Sequence, residues 1–382
     1  MTNKVFETVD KNFNEYLNVW KEFCEIESLT SDKEGVDRAT DYVVNIAKKK
    51  GWDIEYCKQK VSGDAVCITL NPKAKGTPVC FSGHVDTVHE KGLFGYPAVK
   101  IKDGKIYGPG VTDCKGGIVS ALLAMVSLDE NGFSDRPVKL ILQSDEEVNS
   151  RYSNGETIKF MLEKAVDSVA FINLEPGKKN GVCIERKGII TYTFTVNGVA
   201  AHSSLCAVSG ANAIAEACYK ILEAEKLKDH GGITCNCGTI VGGTVANTVP
   251  DRCQFKANVR YFTKAQREWT DKFMLSLASK VNIEGCSTTV TFGKGRPPME
   301  LTEKNKDFTN RLNEIFFANG MTELEPFIGT GGSDAAYITE AGIPCVDCLG
   351  VVGGRIHSVD EYAEIEYLTE YAKRLALIAL YI

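Results

Sequence analysis

The sequence lacks any apolar run of the roughly 18–20 residues that a membrane-spanning helix needs. Its first twelve residues contain no apolar segment of the kind found in export signals, so we expect a cytoplasmic protein. It also lacks long runs of one charge: 44 Lys and Arg stand against 50 Asp and Glu, a net charge of −6. This balance disfavours a nucleic-acid groove or an anionic membrane surface, and we expect neither as a partner.

The composition is that of a globular protein, with 43% hydrophobic and 25% charged residues. A chain of 382 residues suggests two or three domains at about 150 residues each. Fourteen cysteines are scattered, often in apolar strings, which favours reduced thiols that act as small core hydrophobes. Cys345 and Cys348 form a C-x-x-C, but it lies in what we interpret as a buried strand. A thiol redox protein is therefore a minor alternative.

The first half of the chain alternates short apolar strands with helical patterns. Strands are predicted at 79–82, 139–143 and 168–173, and a largely buried helix at 115–128. This spacing predicts an α/β fold in which a mixed sheet is covered by helices on both faces.

The pattern changes near residue 186. From there to about 296 the order is β-α-β-β-α-β, which predicts a ferredoxin-like domain inserted into the first. We therefore expect a catalytic domain formed by 1–185 and 297–382, and an inserted domain at 186–296.

Histidine is scarce, with five residues in the chain, and two of them lie near acidic groups. His84 follows a predicted strand and precedes Asp86, which points to the same side of an extended segment. His357 follows a glycine-rich loop. His89 and His230 match no motif, and we expect both at the surface.

Carboxylates follow the predicted strands in the same way. Asp113 lies among glycines before the buried helix, Glu146 and Glu147 follow one strand, and Glu175 follows another. Ligands bind at this edge of open α/β sheets. Acidic residues after strands can also be ordinary loop residues, which is the simpler interpretation of any one site. The whole set instead favours metal ligation, and its size favours a pair of ions.

These residues lie in motifs that resemble the zinc-dependent M20 metallopeptidases, a family that includes carboxypeptidase G-type enzymes, aminoacylases and deacylases. The resemblance runs from about residue 15 to the end, and the motifs occur in the family's order. They are SGHVDTV (82–88), GPGVTDCKGG (108–117), SDEE (144–147), LEPG (174–177), AHSS (201–204), GGTVANTVPD (242–251), GTGGSD (329–334) and IHSVDEY (356–362).

The resemblance implies two zinc ions per chain, with cobalt or manganese as alternatives. It implies that His84 and Glu175 hold one ion, that Glu147 and His357 hold the other, and that Asp113 bridges them. The family commonly has Met after the bridging Asp, where this chain has Cys114. A thiol at this position implies sensitivity to oxidants.

The resemblance also implies roles for residues beside the metals. Asp86 would orient His84, and Glu146 would be the general base. His202, in the inserted domain, would stabilise the oxyanion from the partner subunit of a homodimer formed through that domain.

Substrate recognition rests on fewer residues. Arg260 and Arg296 look like the carboxylate-binding arginines of glutamate carboxypeptidases, although either is also explained by a surface ion pair. Asn247 looks like the family's substrate-binding asparagine. Gly331 and Gly332 would let the backbone approach a substrate carboxylate.

The leading hypothesis is a di-zinc exopeptidase that hydrolyses an amide next to a free carboxylate, a carboxypeptidase releasing a C-terminal glutamate or similar residue. Its substrate would be a small peptide or an N-acyl amino acid. The alternative on the same machinery is an N-acyl-amino-acid deacylase or a dipeptidase. A binding protein that has lost its metals is disfavoured, since candidates for all five ligands are present.

Overall fold

The computed structural model describes residues 1–228 and 230–382. These residues form two compact units. The first unit comprises Met1–Ile184, Leu301–Ile328 and Ser333–Ile382, and the second comprises Glu185–Glu300 and Gly329–Gly332. The assignment of catalytic and dimerisation roles to separate domains stays a prediction.

The described residues contain ten α-helices and sixteen strands. The helices are α1 (Thr2–Lys11), α2 (Phe13–Glu25), α3 (Lys33–Lys50), α4 (Lys115–Glu130), α5 (Glu156–Ala165), α6 (Ala213–Glu225), α7 (Lys264–Ser279), α8 (Glu303–Ala318), α9 (Ala335–Glu340) and α10 (Tyr367–Tyr381). The strands are β1 (Asp53–Cys57), β2 (Ala65–Leu70), β3 (Val79–His84), β4 (Lys100–Lys102), β5 (Lys105–Tyr107), β6 (Val138–Gln143), β7 (Ala170–Asn173), β8 (Gly181–Arg186), β9 (Gly188–Asn197), β10 (Thr234–Gly242), β11 (Arg252–Tyr261), β12 (Ser287–Phe292), β13 (Glu325–Gly329), β14 (Cys345–Val346), β15 (Gly353–Gly354) and β16 (Tyr362–Glu364).

The first unit is built around a six-stranded mixed sheet with the order β1-β2-β6-β3-β7-β14. Strand β3 is parallel to both β6 and β7, and β7 is parallel to β14, whereas β1, β2 and β6 pair antiparallel. The central strands β2, β3 and β7 are buried along their whole length, as expected for a sheet with covered faces. The prediction of a mixed α/β fold is confirmed.

Helix α4 forms the centre of the first unit's core. Its residues from Lys115 to Leu128 are all buried, because it packs against β3 and β6 as well as against α10. Glycines at its start let the backbone of the helix approach the chain near Leu174, where a Cβ on Gly117 would lie 2.4 Å from the Leu174 carbonyl oxygen.

A smaller sheet in the same unit has the order β15-β16-β5-β4. The pairing of β16 with β5 sets Tyr362 opposite Tyr107. Strand β16 follows the glycine-rich segment of Gly353 and Gly354, and β5 precedes the loop that leads into α4. Their pairing therefore brings these two parts of the chain side by side.

The second unit is a four-stranded antiparallel sheet with the order β10-β11-β9-β12. Its chain order, β9-α6-β10-β11-α7-β12, is the βαββαβ arrangement that the sequence predicts. Tyr192, Phe194 and Val196 alternate along β9 and are fully buried, and Phe194 stacks on Phe255 with ring centroids 4.7 Å apart.

Ten of the fourteen cysteines are buried, which agrees with their interpretation as core residues. Cys345 and Cys348 are among them, at and just beyond β14. Among the described residues, no helix combines the length and apolar character needed to cross a bilayer. The cytoplasmic location stays a prediction.

Candidate active site

Three neighbouring parallel strands end at the same edge of the main sheet, and candidate ligands follow each of them. His84 is the last residue of β3, where it pairs with Gln143 at the end of β6. Glu147 lies four residues beyond Gln143, in a short 3-10 turn, and Glu175 lies two residues beyond the end of β7. Parallel strands bring their carboxyl ends together, which is why side chains far apart in sequence meet here.

Asp113 lies between the two histidines of the site. Its Oδ1 is 3.0 Å from Nε2 of His84, and its Oδ2 is 3.3 Å from Nε2 of His357. One carboxylate therefore faces both imidazoles, one oxygen each. The peptide bond that follows Asp113 is cis.

The remaining two carboxylates divide between the two histidines. Nε2 of His84 lies 3.9 Å from Oε1 of Glu175, whereas Nε2 of His357 lies 3.3 Å from Oε2 of Glu147. The backbone of His357 is left-handed, with φ of 61°. This conformation costs a non-glycine residue about 1–2 kcal/mol, and such residues cluster at functional sites.

The site concentrates negative charge in a buried place. Burial, with the neighbouring Glu146 and Asp113, raises the pKa of Glu175 well above its usual value, and burial raises the pKa of Glu147 to about 7. Hydrogen bonds to Asp113 and Glu147 raise the pKa of His357 to about 10. Buried carboxylates packed this closely are stabilised either by bound protons or by a bound cation.

The positions of the donor atoms fit metal ions. Donor atoms of His84, Asp113 and Glu147 all lie within 4.8 Å of one another, and so do those of His84, Glu146 and Glu175. Imidazole and carboxylate donors without thiolate suit Zn²⁺, Co²⁺ or Mn²⁺. Burial raises the pKa of the adjacent Cys114 thiol to about 12, so that this sulfur stays protonated.

Asp86 is fully buried beneath the site and connects three segments. Its carboxylate accepts hydrogen bonds from the Thr30 hydroxyl at 2.9 Å and from the backbone N–H groups of Glu146 and Glu147 at 3.3 Å each. Nδ1 of His84 lies 3.0 Å from the backbone oxygen of Asp86 and 3.5 Å from its Oδ1. Asp86 thus fixes both the imidazole and the turn that bears the paired glutamates.

The expectation that His89 lies at the surface is wrong. His89 is buried, and its Nε2 lies 2.8 Å from Oε2 of Glu361, a residue that the sequence reasoning missed. Glu361 is within the IHSVDEY motif, so a signal was present, but nothing local showed that its side chain points inward. His230 is exposed, as predicted, and stacks on Trp269.

His202 and Asn247 belong to the second unit. His202 is exposed, and its Nδ1 lies 2.8 Å from the hydroxyl of Ser204. The N–H of Ser203 donates to the backbone oxygen of Asn247 at 2.9 Å, which holds the two segments together. Asn247 is also exposed.

Three arginines gather around the glycine-rich segment within the second unit. Arg260 donates to the Thr330 carbonyl at 3.1 Å, and a Cβ on Gly332 would lie 2.9 Å from Cδ of the buried Arg296. Arg186, which the sequence reasoning did not single out, donates to the carbonyl of Gly331 at 3.0 Å. Arg186 ends β8 and carries no motif signal of its own.

A family model described as peptidase family M20/M25/M40 matches residues 80–381. The chain belongs to this family. The match includes every candidate ligand, so the M20 resemblance read from the sequence is confirmed. This M20 protein is a metallo-hydrolase of amide or peptide bonds, and the structure gives it a potential metal site.

Two curated relatives match nearly the whole M20 chain. Carboxypeptidase G2 of Pseudomonas sp. (strain RS-16) is 24% identical, over 99% of this chain and 91% of its own. Succinyl-diaminopimelate desuccinylase of Wolbachia pipientis wMel is 25% identical, over 91% and 88%.

Solved structures of M20 proteins share the fold. Aminopeptidase PepT from Bacillus cereus ATCC 10987 matches with a TM-score of 0.80 and 21% identity, covering 96% of this chain and 98% of that one. A dinuclear metal-binding M20 peptidase from Bacillus subtilis matches with a TM-score of 0.73 and 16% identity, covering 98% and 100%.

Proposed function

We propose that the protein is a di-zinc exopeptidase that cleaves an amide next to a free carboxylate and releases a C-terminal glutamate or a similar amino acid. The observation that supports this most strongly is the shared Asp113 carboxylate, with His84 on one oxygen and His357 on the other. A carboxylate placed this way suits the bridging position between two ions.

In this proposal His84 and Glu175 would hold one ion, Glu147 and His357 would hold the second, and Asp113 would be shared between them. The dinuclear relative from Bacillus subtilis supports two ions per chain. Zinc is the proposed metal, with cobalt or manganese as alternatives on the same donors. When bound, the pair would polarise the scissile carbonyl and lower the pKa of the attacking water.

Glu146 is the proposed general base. It precedes Glu147 in the 3-10 turn, and the backbone N–H groups of both residues donate to Asp86. A fixed turn holds one glutamate for metal binding and leaves the other for proton transfer. Glu146 takes the proton from the attacking water and delivers it to the leaving nitrogen.

The arginines of the second unit support recognition of a substrate carboxylate. Arg260 and Arg296 lie beside the segment that contains Gly331 and Gly332, and Arg186 holds the carbonyl of Gly331. Guanidinium groups bind carboxylates in a planar, two-point arrangement. Asn247 is proposed to hold the substrate amide. The name of the Pseudomonas relative agrees with a carboxypeptidase.

An N-acyl-amino-acid deacylase is the second candidate. The desuccinylase relative removes an acyl group by its name, and its identity to this chain, 25%, is close to the 24% of the carboxypeptidase. The fold shared with aminopeptidase PepT keeps peptides with a free amine among the substrates to be tested. All three options place a free carboxylate on the amino-acid side of the amide, and they differ in the acyl group and in the amino-acid side chain.

We also propose a homodimer formed through the inserted domain. Strand β10 lies at the edge of its sheet, with Ile240 49% and Val241 76% exposed. Tyr219 and Leu222, on α6 of the same unit, are also largely exposed. An open strand edge beside exposed apolar side chains is a surface that a second copy would cover. His202 would then stabilise the oxyanion in the partner's site.

The test is hydrolysis by the zinc-loaded protein of N-acyl-glutamates, other N-acetyl amino acids and dipeptides with free amines. Cleavage mainly of N-acyl-glutamates supports the carboxypeptidase, and kcat should fall by about 10²–10⁴-fold in Glu146→Gln with two zinc ions still bound. A preference for other N-acyl amino acids or for free dipeptides would contradict the glutamate assignment and favour a deacylase or a dipeptidase. Binding of fewer than two ions by the wild type would contradict the di-metal proposal itself.

A further inference from the structure

We infer that Glu361 and His89 form a positioning pair that sets the geometry of the proposed metal site. The inference rests on the proposed function, since it concerns the loops that hold the ligands. Neither residue is a proposed ligand, and both are buried, Glu361 completely. A buried carboxylate persists only when its oxygens are paired.

The carboxylate of Glu361 organises the loop that bears Asp113. Its Oε1 accepts the backbone N–H groups of Thr112 at 2.9 Å and Asp113 at 3.1 Å, and its Oε2 accepts that of Gly110 at 3.2 Å. Through these bonds the Glu361 side chain fixes the backbone of the loop from Gly110 to Asp113. Because one of the donors is the N–H of Asp113 itself, displacement of Glu361 would move the carboxylate that faces both histidines.

His89 completes the environment of Glu361 from a third segment. Its Nε2 donates to Oε2 at 2.8 Å, and its ring lies nearly perpendicular to that of Phe94 with centroids 4.9 Å apart. His89 lies five residues after His84, and Glu361 lies four residues after His357. One buried contact therefore joins the segments that bear His84, Asp113 and His357.

The chemistry of the contact requires a carboxylate rather than an amide. Four N–H donors face the two oxygens of Glu361, two on each oxygen. A carboxylate only accepts, whereas the NH₂ group of glutamine only donates. In either orientation, Glu361→Gln would set its NH₂ group against at least one backbone N–H donor, although its size is unchanged.

The experiment compares Glu361→Gln with Glu216→Gln in the whole protein. Glu216 is a matched control in the second unit: it is buried and accepts the backbone N–H groups of Asn282 at 2.9 Å and Ile283 at 2.8 Å. Zinc is titrated against a chelator, and Co²⁺-loaded protein is followed by visible absorption. Glu361→Gln should weaken zinc binding by about 10–100-fold and change the Co²⁺ spectrum. Glu216→Gln should lower the melting temperature with zinc affinity unchanged.

A second variant keeps the inference testable if Glu361→Gln does not fold. His89→Leu removes one donor and leaves the three backbone bonds, so zinc binding should weaken in the same direction but less. Wild-type zinc affinity in both variants, or an equal loss in Glu216→Gln, would overturn the inference while the proposed function stands. Failure of the wild-type protein to bind two ions would instead contradict the proposed function, and the inference that rests on it would fail as well.

Discussion

At the scale of single residues, the candidate site depends on the placement of charge. Asp113 is stabilised as an anion despite its burial, because hydrogen bonds from His357 and His84 hold its pKa well below the usual range. Glu147 and Glu175 shift the opposite way, since burial and neighbouring carboxylates raise their pKa values. Such opposed shifts within one small cluster are typical of functional sites.

These shifts predict proton release when metal binds. With pKa values of about 10 for His357 and about 7 for Glu147, the metal-free protein at pH 7 holds a proton on His357 and is about half protonated at Glu147. Metal ions bind only the deprotonated forms, so protons compete with the metal. Zinc affinity should therefore rise with pH through neutrality, as Glu147 and then His357 lose their protons.

Calorimetric titration of zinc in buffers of different ionisation enthalpy measures the released protons directly. We expect one or more protons per chain at pH 7, and fewer at pH 9, where Glu147 is already ionised. An apparent binding enthalpy that is the same in every buffer would contradict the prediction.

At the scale of elements, the site depends on how closely α4 approaches the chain that bears Glu175. A Cβ on Gly117 would lie 2.4 Å from the Leu174 carbonyl oxygen and 2.9 Å from the Leu174 Cβ. Backbone atoms cannot give way as a flexible side chain can. The glycine is therefore required by packing, although alanine is the better helix former.

Gly117→Ala should lower the free energy of unfolding by about 1–3 kcal/mol because of the steric conflict. Helix propensity alone predicts the opposite, an increase of up to about 1 kcal/mol. Ser127→Ala on the same helix is the control. The buried Ser127 hydroxyl has no hydrogen-bond partner among the described residues, so its removal should be neutral or stabilising. Urea unfolding compares the two, and stabilisation by Gly117→Ala would show that α4 does not pack this closely.

At the scale of the whole molecule, the proposed dimer can be tested by complementation. His202→Ala should lack activity, and so should Glu146→Ala. If His202 acts in the partner's site, a mixed dimer has one complete site: the chain with His202→Ala retains Glu146 and receives His202 from its partner. Equal mixing should then restore roughly a quarter of wild-type activity, since about half of the dimers are mixed.

Subunit exchange must be demonstrated in the same experiment, for example with differently tagged chains. Exchange without recovery of activity would place His202 in its own chain's site or outside the reaction. Recovery would support both the dimer and the role of His202.

Much of the fold and of the candidate site was determined by the sequence alone. The βαββαβ order of the second unit and the buried helix α4 follow from local periodicity. The grouping of His84, Glu147 and Glu175 follows from parallel strands, which bring their carboxyl ends to one edge whatever the length of chain between them. For this reason, motifs at strand ends could be assigned to one site without knowledge of the tertiary structure.

The tertiary structure decided which oxygen faces which imidazole and what lies beneath the ligands. His89 and Glu361 are separated by 272 residues, and Arg186 and Gly331 by 145. No local pattern indicates such contacts, because Glu and Arg side chains are ordinarily exposed and become buried only where folding brings a polar partner to them. Hydrophobic periodicity and motif spacing determine the helices, the strands and the sheet edge at which the candidate site lies. The pairing of buried polar groups is decided only in the folded chain, because the partners lie on segments that are distant in sequence.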